Sequence, residues 1–189
     1  MNAYLVSYFV NAGFTATHAE TIAGSFRSKL FSKGDYFVRE GSKSLQLGLI
    51  EAGQFQYFNI SNKGEEQTTY IAMPHTFVAS LLSFLSEVQA RENIRALTDG
   101  KIWIIDKKDM LQLQQDLPTF KDFYTGLLEY QLCCIDESRF DLITLSAEQR
   151  YAKLLEKEPE LLQQVPLQYI ASILGITPRH LSRLRNKIL

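Results

Sequence analysis

The C-terminal end of the chain holds the side chains with the most distinctive chemistry. Residues 161–189 contain no Asp or Glu, and four cations lie among them: Arg179, Arg183, Arg185 and Lys187. The rest of the chain has 16 basic and 21 acidic residues, so its net charge is −5 while that of this segment is +4. Positive charge confined to one short segment is typical of a surface that binds a polyanion. The sequence therefore predicts a small basic module attached to an acidic body.

Residues 167–186 have the spacing of two short helices joined by a tight turn. Ile170 and Leu174 lie four residues apart, which places both on one buried face of the first helix. Ala171 is small enough to let a second helix cross closely, and Gly175 can adopt the positive φ angle that the turn needs. This pattern predicts a helix-turn-helix.

The second of these helices is predicted to begin at Thr177, which can cap it, and at Pro178, whose missing N–H costs nothing there. Leu181 and Leu184 would hold it against the first helix. Arginines on its outward side can pair bidentately with guanine, and the other cations can neutralise phosphates. The predicted DNA-binding residues are Gln168, Thr177, Arg179, His180, Arg183 and Arg185. The alternative is a helical hairpin with a solvated basic face, which leaves unexplained why every ionic residue there is positive.

Residues 28–105 have the character of a β domain. Short segments rich in β-branched and aromatic residues alternate with glycine-containing turns, as in QFQYFNI, SNKG and EEQTTYIAM. Regularly spaced short strands predict a jelly-roll barrel. The segment FVASLLSFLSEV, residues 77–88, interrupts them with helical spacing. A helix at that place either borders a pocket or plugs the end of the barrel, and both interpretations stay open.

A long helix is predicted over residues 119–141, preceded by Pro118. One apolar stripe recurs at three and four residues, and Leu128, Leu132 and Ile135 widen the apolar surface beyond it. One stripe can lie on the barrel, but a second face needs a second surface, which a helix of another subunit would supply. We therefore predict a homodimer. The residues assigned to its interface are Phe120, Phe123, Leu127, Tyr130 and Cys134.

Metal, cofactor and enzymatic chemistry are not expected. Cys133 and Cys134 are the only cysteines, and two neighbours cannot supply an iron–sulfur or zinc-ribbon ligand set. They are expected to be packing thiols on a helix, with a redox-sensitive or intersubunit pair as the alternative. His18, His75 and His180 do not have the His-x-His spacing of a jelly-roll metalloenzyme. No nucleophile–base arrangement accompanies them.

The bulk composition is that of an ordinary globular protein. The 189 residues are 46% hydrophobic and 22% charged, which suffices for one large or two modest domains. No apolar run approaches the roughly 20 residues that a membrane span needs, and the N-terminus lacks the features of a signal peptide. We expect a cytoplasmic protein without membrane partners.

With the motifs in place, the chain resembles the Crp/Fnr superfamily of bacterial transcription regulators. FSKGDYFVREGS carries Gly34 and Gly41 at turns, as in the early strands of that family, and FVASLLSFL followed by ARENIRALTDGKIWIIDKKDM runs in step with its phosphate-binding cassette. The resemblance implies an α+β fold in three parts. These are a cyclic-nucleotide-binding-like jelly-roll sensor domain at 1–117, a dimerisation helix at 118–141, and an all-α helix-turn-helix domain at 142–189 that lacks an evident C-terminal wing. DNA, a second copy of the chain and RNA polymerase are the implied partners.

The chain departs from the cyclic-nucleotide binders of that family. They carry Gly-Glu after the cassette Phe and an Arg-Ser/Thr pair about ten residues later, where this chain has Ala79-Ser80 and Ala90-Arg91. The ribose acceptor is missing and the arginine is displaced by one position, which reverses its face on a strand. The predicted function is therefore a sequence-specific DNA-binding transcription regulator that does not respond to cyclic AMP.

A different anionic effector would find few cationic groups in this half of the chain. Arg91 and Arg95, four residues apart, share one face of a strand, and Ser80 is a polar candidate beside them. The alternative for both arginines is a solvated strand charge. The alternative for the whole protein is a ligand-binding or protein-interaction module with no DNA function.

Overall fold

The computed structural model describes residues 2–188 and the side chains up to Asn186. The first half contains α1 (Ala3–Asn11), α2 (Ala16–Gly24), β1 (Arg27–Phe31), β2 (Tyr36–Val38), β3 (Gln46–Ala52), β4 (Phe55–Ile60), β5 (Glu66–Ala72), β6 (Phe77–Val78), α3 (Leu81–Ser86), β7 (Asn93–Ala96) and β8 (Gly100–Asp106). The second half contains α4 (Lys107–Asp116), α5 (Pro118–Thr144), α6 (Ala147–Lys157), α7 (Pro159–Gln164), α8 (Leu167–Ile173) and α9 (Pro178–Ile188). The predicted order of a β-rich half followed by helices is confirmed.

The chain forms two compact units. The first contains the residues up to Asn59 together with Ile71–Gly126, and the second contains Ile60–Tyr70 together with the chain from Leu127 onward. The long helix α5 starts at the predicted residue 118 but ends at Thr144, three residues later than predicted. Its first nine residues therefore belong to the first unit and the remainder to the second.

Two four-stranded antiparallel sheets form the β domain. Their strand orders are β1-β8-β3-β6 and β2-β7-β4-β5. Strands distant in sequence are neighbours, as where Arg27 of β1 lies opposite Ile104 of β8, and such returning connections are typical of the jelly roll. Ile50, Phe55 and Ile94 are buried among the side chains of the cluster that fills this domain. Among residues 2–188, no helix is both long and apolar enough to cross a membrane.

A second cluster of the first unit is built from aromatic rings at the start of the chain and the start of α5. Phe9 and Phe14 of the N-terminal segment pack against Phe120 and Phe123, with ring centroids 5.5–6.4 Å apart. Such edge and tilted contacts stabilise a core beyond the area that they bury. Phe120 is 1% exposed. The assignment of Phe120 to a dimer interface is therefore corrected, because its own chain already covers it. Phe123 is only half-buried, and its assignment stays a prediction.

The turns at one end of the barrel bring two glycines into contact. Gly53 has a φ angle of 89°, and a Cβ added there would lie 2.6 Å from the Cα atom of Gly100. A side chain at Gly53 therefore meets both a disfavoured backbone conformation and a backbone neighbour that cannot move aside easily. Gly34 has a similar φ angle of 94°, but no heavy atom lies within 4 Å of an added Cβ.

Replacing Gly53 by Ala is expected to destabilise the barrel more than replacing Gly34 by Ala. Backbone strain alone costs about 1–3 kcal/mol at such positions, and the collision with Gly100 adds to it only in the first variant. The single tryptophan, Trp103 on β8, gives a fluorescence signal for urea unfolding of this domain. Equal losses of stability in the two variants would contradict the packing at Gly100.

Candidate nucleic-acid interface

The predicted helix-turn-helix is formed by α8 and α9. Its core contains Ile170, Ala171 and Leu174 of the first helix and Leu181 and Leu184 of the second, all of which are buried. The small Ala171 lies in this core, where a larger side chain would separate the helices. The five residues that were predicted from their spacing to form this core are therefore buried, as expected.

The turn between the two helices follows a Schellman motif. The N–H of Ile176 donates to the carbonyl of Ala171 and the N–H of Gly175 donates to the carbonyl of Ser172, each at 2.9 Å. These bonds satisfy two of the carbonyls that a helix end leaves open. Gly175 has a φ angle of 67°, which explains why this position requires glycine.

The start of α9 is capped as the sequence predicted. The Oγ1 atom of Thr177 accepts a hydrogen bond from the N–H of His180 at 3.2 Å, and Pro178 is the first residue of the helix. The cap fixes the direction in which α9 leaves the turn. It therefore also fixes where the outward side chains of the helix point.

One face of α9 is exposed and cationic. Arg179, Arg183 and Asn186 are spaced by four and three residues, which places them on one side of a helix, and all three are exposed. Among the side chains described, up to residue 186, neither guanidinium forms an ion pair. Asn186 was missed from sequence, although its position three residues after Arg183 was a sufficient signal. Thr177 and His180 are exposed at the start of the same helix.

Two other predicted DNA contacts lie elsewhere. Gln168 is exposed on α8, one helix away. Arg185 lies one turn after the buried Leu181 and lines a cleft together with Tyr151 and Leu155 of α6. The structure therefore does not bring Arg185 onto the face that carries Arg179 and Arg183. The side chain of Lys187 lies outside the described residues.

Hydrogen bonds and ion pairs position this module on the second half of α5. The guanidinium of Arg150 donates to the carbonyl of Leu145 at 2.6 Å and to that of Leu174 at 2.8 Å. It thereby joins the end of α5 to the end of α8. The hydroxyl of Ser172 accepts from the N–H of Thr68 at 2.8 Å, so the hairpin between β4 and β5 also contacts α8.

A cluster of opposite charges lies between α5 and α6. Lys153 bridges Glu137 and Asp141, and Lys157 also reaches Glu137 at 2.7 Å. The hydrogen bonds from Lys153 and Lys157 lower the pKa of Glu137 to about 2. Hydrogen bonds to Asp141 and then to Glu137 raise the pKa of Lys153. Glu137 and Lys153 are therefore both charged at neutral pH.

The candidate effector residues in the β domain do not converge. Arg91 is exposed and lines an open groove beside Glu40 and Val88. The guanidinium of Arg95 donates to Oε1 of Gln56 at 2.8 Å and lies over the ring of Phe58. The two arginines thus have different surroundings, contrary to the shared face expected from their spacing.

The third candidate, Ser80, is fully buried at the start of α3, and its Oγ atom has no hydrogen-bond partner among the described residues. The hydroxyl of Tyr57 accepts from the N–H of Ala79 and donates to the carbonyl of the same residue, both at 3.1 Å. The backbone at the cassette position is therefore already occupied by a side chain of the protein.

Beyond residue 126 the first apolar stripe of α5 is only partly covered by its own chain. Tyr130 is 69% exposed and Cys134 is half-buried. The side-chain hydrogen bond with Cys134 raises the pKa of Tyr130, and burial followed by the charge of Glu158 raises the pKa of Tyr70 to about 12. The assignment of Tyr130 and Cys134 to a dimer interface stays a prediction. Half-buried Leu127 lies on the same side of the helix by its spacing.

The other side of α5 carries a second apolar stripe. It consists of Leu128, Leu132, Ile135 and Leu142, at heptad spacing. Leu132, Ile135 and Leu142 are 67%, 48% and 54% exposed. This second stripe, which the sequence only suggested as a widening of the first, is the surface that remains available to a partner.

Comparison with known proteins identifies the β domain. Residues 28–116 match the family of the cyclic nucleotide-binding domain. The anaerobic regulatory protein of Bacillus subtilis is 28% identical over 78 residues, which are 41% of this chain and 33% of that protein. The chain therefore aligns with about a third of the length of this curated relative.

Solved structures extend the similarity of fold to most of the chain. FixK2 from Bradyrhizobium japonicum has a TM-score of 0.74 at 14% identity, covering 86% of this chain and 84% of its own. A transcriptional regulator assigned to the Crp/Fnr family from Eubacterium rectale has a TM-score of 0.68 at 18% identity, covering 96% of this chain and 87% of its own. At such identities the likeness concerns the fold. Residues 28–116 therefore match a cyclic nucleotide-binding domain, and most of the chain shares the fold of these regulators.

Proposed function

We propose that the protein is a sequence-specific DNA-binding transcription regulator of the Crp/Fnr type that acts as a homodimer. The observation that carries this proposal is the exposed face of α9, where Arg179, Arg183 and Asn186 stand without a carboxylate partner among the described residues. A solvated face would be expected to mix charges, whereas this one has only donors suited to phosphates and base edges.

The dimensions of α9 suit the major groove. A helix rises 1.5 Å per residue, so Arg179 and Asn186 are about 10 Å apart along its axis. Successive base pairs are separated by about 3.4 Å, and the stripe therefore spans about three base pairs. Arginine pairs bidentately with guanine and asparagine with adenine. In this arrangement the capped N-terminal turn of α9 enters the groove first, while Gln168 on α8 lies at the phosphate backbone.

A second copy of the chain is the partner proposed for the second apolar stripe of α5. Exposed leucines and isoleucines at heptad spacing are covered most simply by the same stripe of an identical helix around a two-fold axis. The helix also carries Arg139 between Ile135 and Leu142, and the guanidinium of Arg139 forms an ion pair with Asp136 of the same helix. Two-fold symmetry would place the two α9 helices in successive major grooves, with half-sites about 34 Å apart in a near-palindromic operator.

Cyclic AMP is not the proposed effector. Two groups near the expected nucleotide site already have partners within the protein: Tyr57 satisfies the backbone of Ala79, and Arg95 contacts Gln56 and Phe58. In this proposal the barrel therefore supports the dimer instead of binding cyclic AMP. We further propose a cytoplasmic protein that acts by binding rather than by catalysis, with RNA polymerase as a partner at its promoters.

Removing the positive charges of Arg179 and Arg183 is expected to weaken sequence-specific DNA binding strongly. The double variant Arg179→Ala, Arg183→Ala loses two phosphate or base contacts, each worth about 1–3 kcal/mol at a base edge. Affinity for a selected operator should fall at least about thirtyfold, and the slope of log K against log [salt] should decrease by about 2. Fluorescence anisotropy with labelled duplexes over a salt series measures both quantities.

Arg91→Ala is the matched control, because Arg91 is an exposed arginine of the first unit, whereas α9 belongs to the second. Its affinity and salt slope should equal those of the unaltered protein. If the double variant binds the operator as well as this control does, α9 is not the DNA-binding element and the proposal fails.

Charges introduced into the second apolar stripe are expected to separate the dimer. In Leu132→Glu and Ile135→Glu, two carboxylates would meet at each symmetric contact, where burying them without partners is unfavourable. Sedimentation equilibrium at micromolar concentration should show monomers, and operator affinity should fall because only one half-site is engaged at a time.

The control Cys133→Glu introduces the same charge on an exposed position of α5 outside the stripe, and it should remain dimeric. A dimer that persists in Leu132→Glu together with Ile135→Glu would assign the association to another surface.

A further inference from the structure

The cleft that Arg185 lines lies within the second unit, among α6, α7, α8 and α9. Its volume is about 210 Å³. Most of its lining is apolar and includes Leu155, Leu162, Ile170 and Leu181, and the polar groups that accompany them are Gln163 and Arg185. Gln163 and Arg185 are exposed, so the cleft is open to solvent along this polar edge. Its apolar wall is a surface that a small apolar group could cover.

Arg185 gives this apolar cleft a cationic side. It lies four residues after the buried Leu181 and is itself exposed at the edge of the cleft, whereas Arg183 is on the opposite, open face of α9. Among the described residues Arg185 has no ion pair, and residues 161–189 contain no Asp or Glu. A guanidinium beside an apolar cleft suits a ligand with an apolar body and a carboxylate end.

We propose that this cleft is a binding site for small apolar carboxylates, held by their hydrocarbon part among Leu162, Ile170 and Leu181 and by a charge-assisted hydrogen bond to Arg185. The volume is below the roughly 300 Å³ of sites for drug-sized ligands, so short-chain or single-ring acids are the fitting class. Gln163 supplies an amide that can also donate to the carboxylate.

The site contacts both helices of the helix-turn-helix, α8 and α9. Ile170 belongs to α8, and Leu181 and Arg185 belong to α9. A bound carboxylate would neutralise one of the four cations of the segment and would fix α9 against α7. If the proposed DNA-binding function holds, the ligand therefore weakens operator binding, and the salt slope falls by up to about 0.9 for the one charge removed. This consequence rests on the proposed function, whereas ligand binding itself does not.

The test is an NMR titration of the full-length protein with hexanoate, observed at the methyl groups of leucine and isoleucine. We expect saturable shifts at Leu181 and Ile170 with a dissociation constant on the order of 1 mM, since so small a ligand forms few contacts. 1-Hexanol and hexylamine have nearly the same body without the carboxylate, and they should bind at least about tenfold more weakly, because one charge-assisted hydrogen bond is worth about 1.5–3 kcal/mol.

Two variants that each replace one arginine of α9 by glutamine distinguish this site from the DNA-binding face. Arg185→Gln should weaken hexanoate at least about tenfold and Arg183→Gln should leave it unchanged, whereas Arg183→Gln should be the more harmful of the two to operator affinity. Leu162→Trp, which fills the cleft, should abolish the shifts, and the spectrum without ligand shows whether each variant is folded. Equal binding of hexanoate and 1-hexanol, or unaltered binding in Arg185→Gln, would overturn the carboxylate site. If the protein binds hexanoate but no operator, the proposed function is contradicted and the carboxylate site is not.

Discussion

The structure depends on one constraint: α5 is an uninterrupted helix whose apolar residues extend well beyond the surface that its own chain covers. The helix has 27 residues and is therefore about 40 Å long, too long for one small core to enclose. Its first turns enter the aromatic cluster through Phe120 and Phe123. Farther along, the same side carries Tyr130 and the ion-paired Glu137. The stripe around Leu132 is left exposed, and the cost of leaving it in water favours the proposed association.

The helix α5 also positions the helix-turn-helix of α8 and α9, but by polar rather than apolar contacts. Lys153 joins α6 to two carboxylates of α5, and Arg150 joins the end of α5 to Leu174 at the end of α8. Exposed ion pairs add little stability and are screened by salt. Their geometry is nevertheless specific, because each bond accepts only a narrow range of distances and angles. The connection therefore defines an orientation at little gain in stability.

Features that depend on neighbouring residues were predicted better from the sequence than features that depend on residues far away in the chain. The helix-turn-helix was predicted well because Gly175 and Thr177 act on the backbone within a few residues. The choice between two apolar stripes of α5 was wrong for Phe120, since periodicity shows that a face is apolar but not which surface covers it. Arg185 was assigned by its charge alone, although its spacing from Leu181 already indicated the inner side of α9. The separation of Arg91 from Arg95 depends on Gln56, which lies far away in sequence and could not have been identified by spacing.

The β domain is held together by contacts within the protein. A jelly roll is held by the pairing of its strands and by buried side chains such as Phe55 and Ile94, none of which requires a nucleotide. The hydroxyl of Tyr57 satisfies the backbone of Ala79, whereas the Oγ atom of the neighbouring Ser80 is buried without a hydrogen-bond partner among the described residues. The unpartnered cation beside an apolar space lies instead at Arg185, in the unit that holds the proposed reading helix. A ligand bound there would act on α9 through direct contact, and the barrel would need only to hold the dimer.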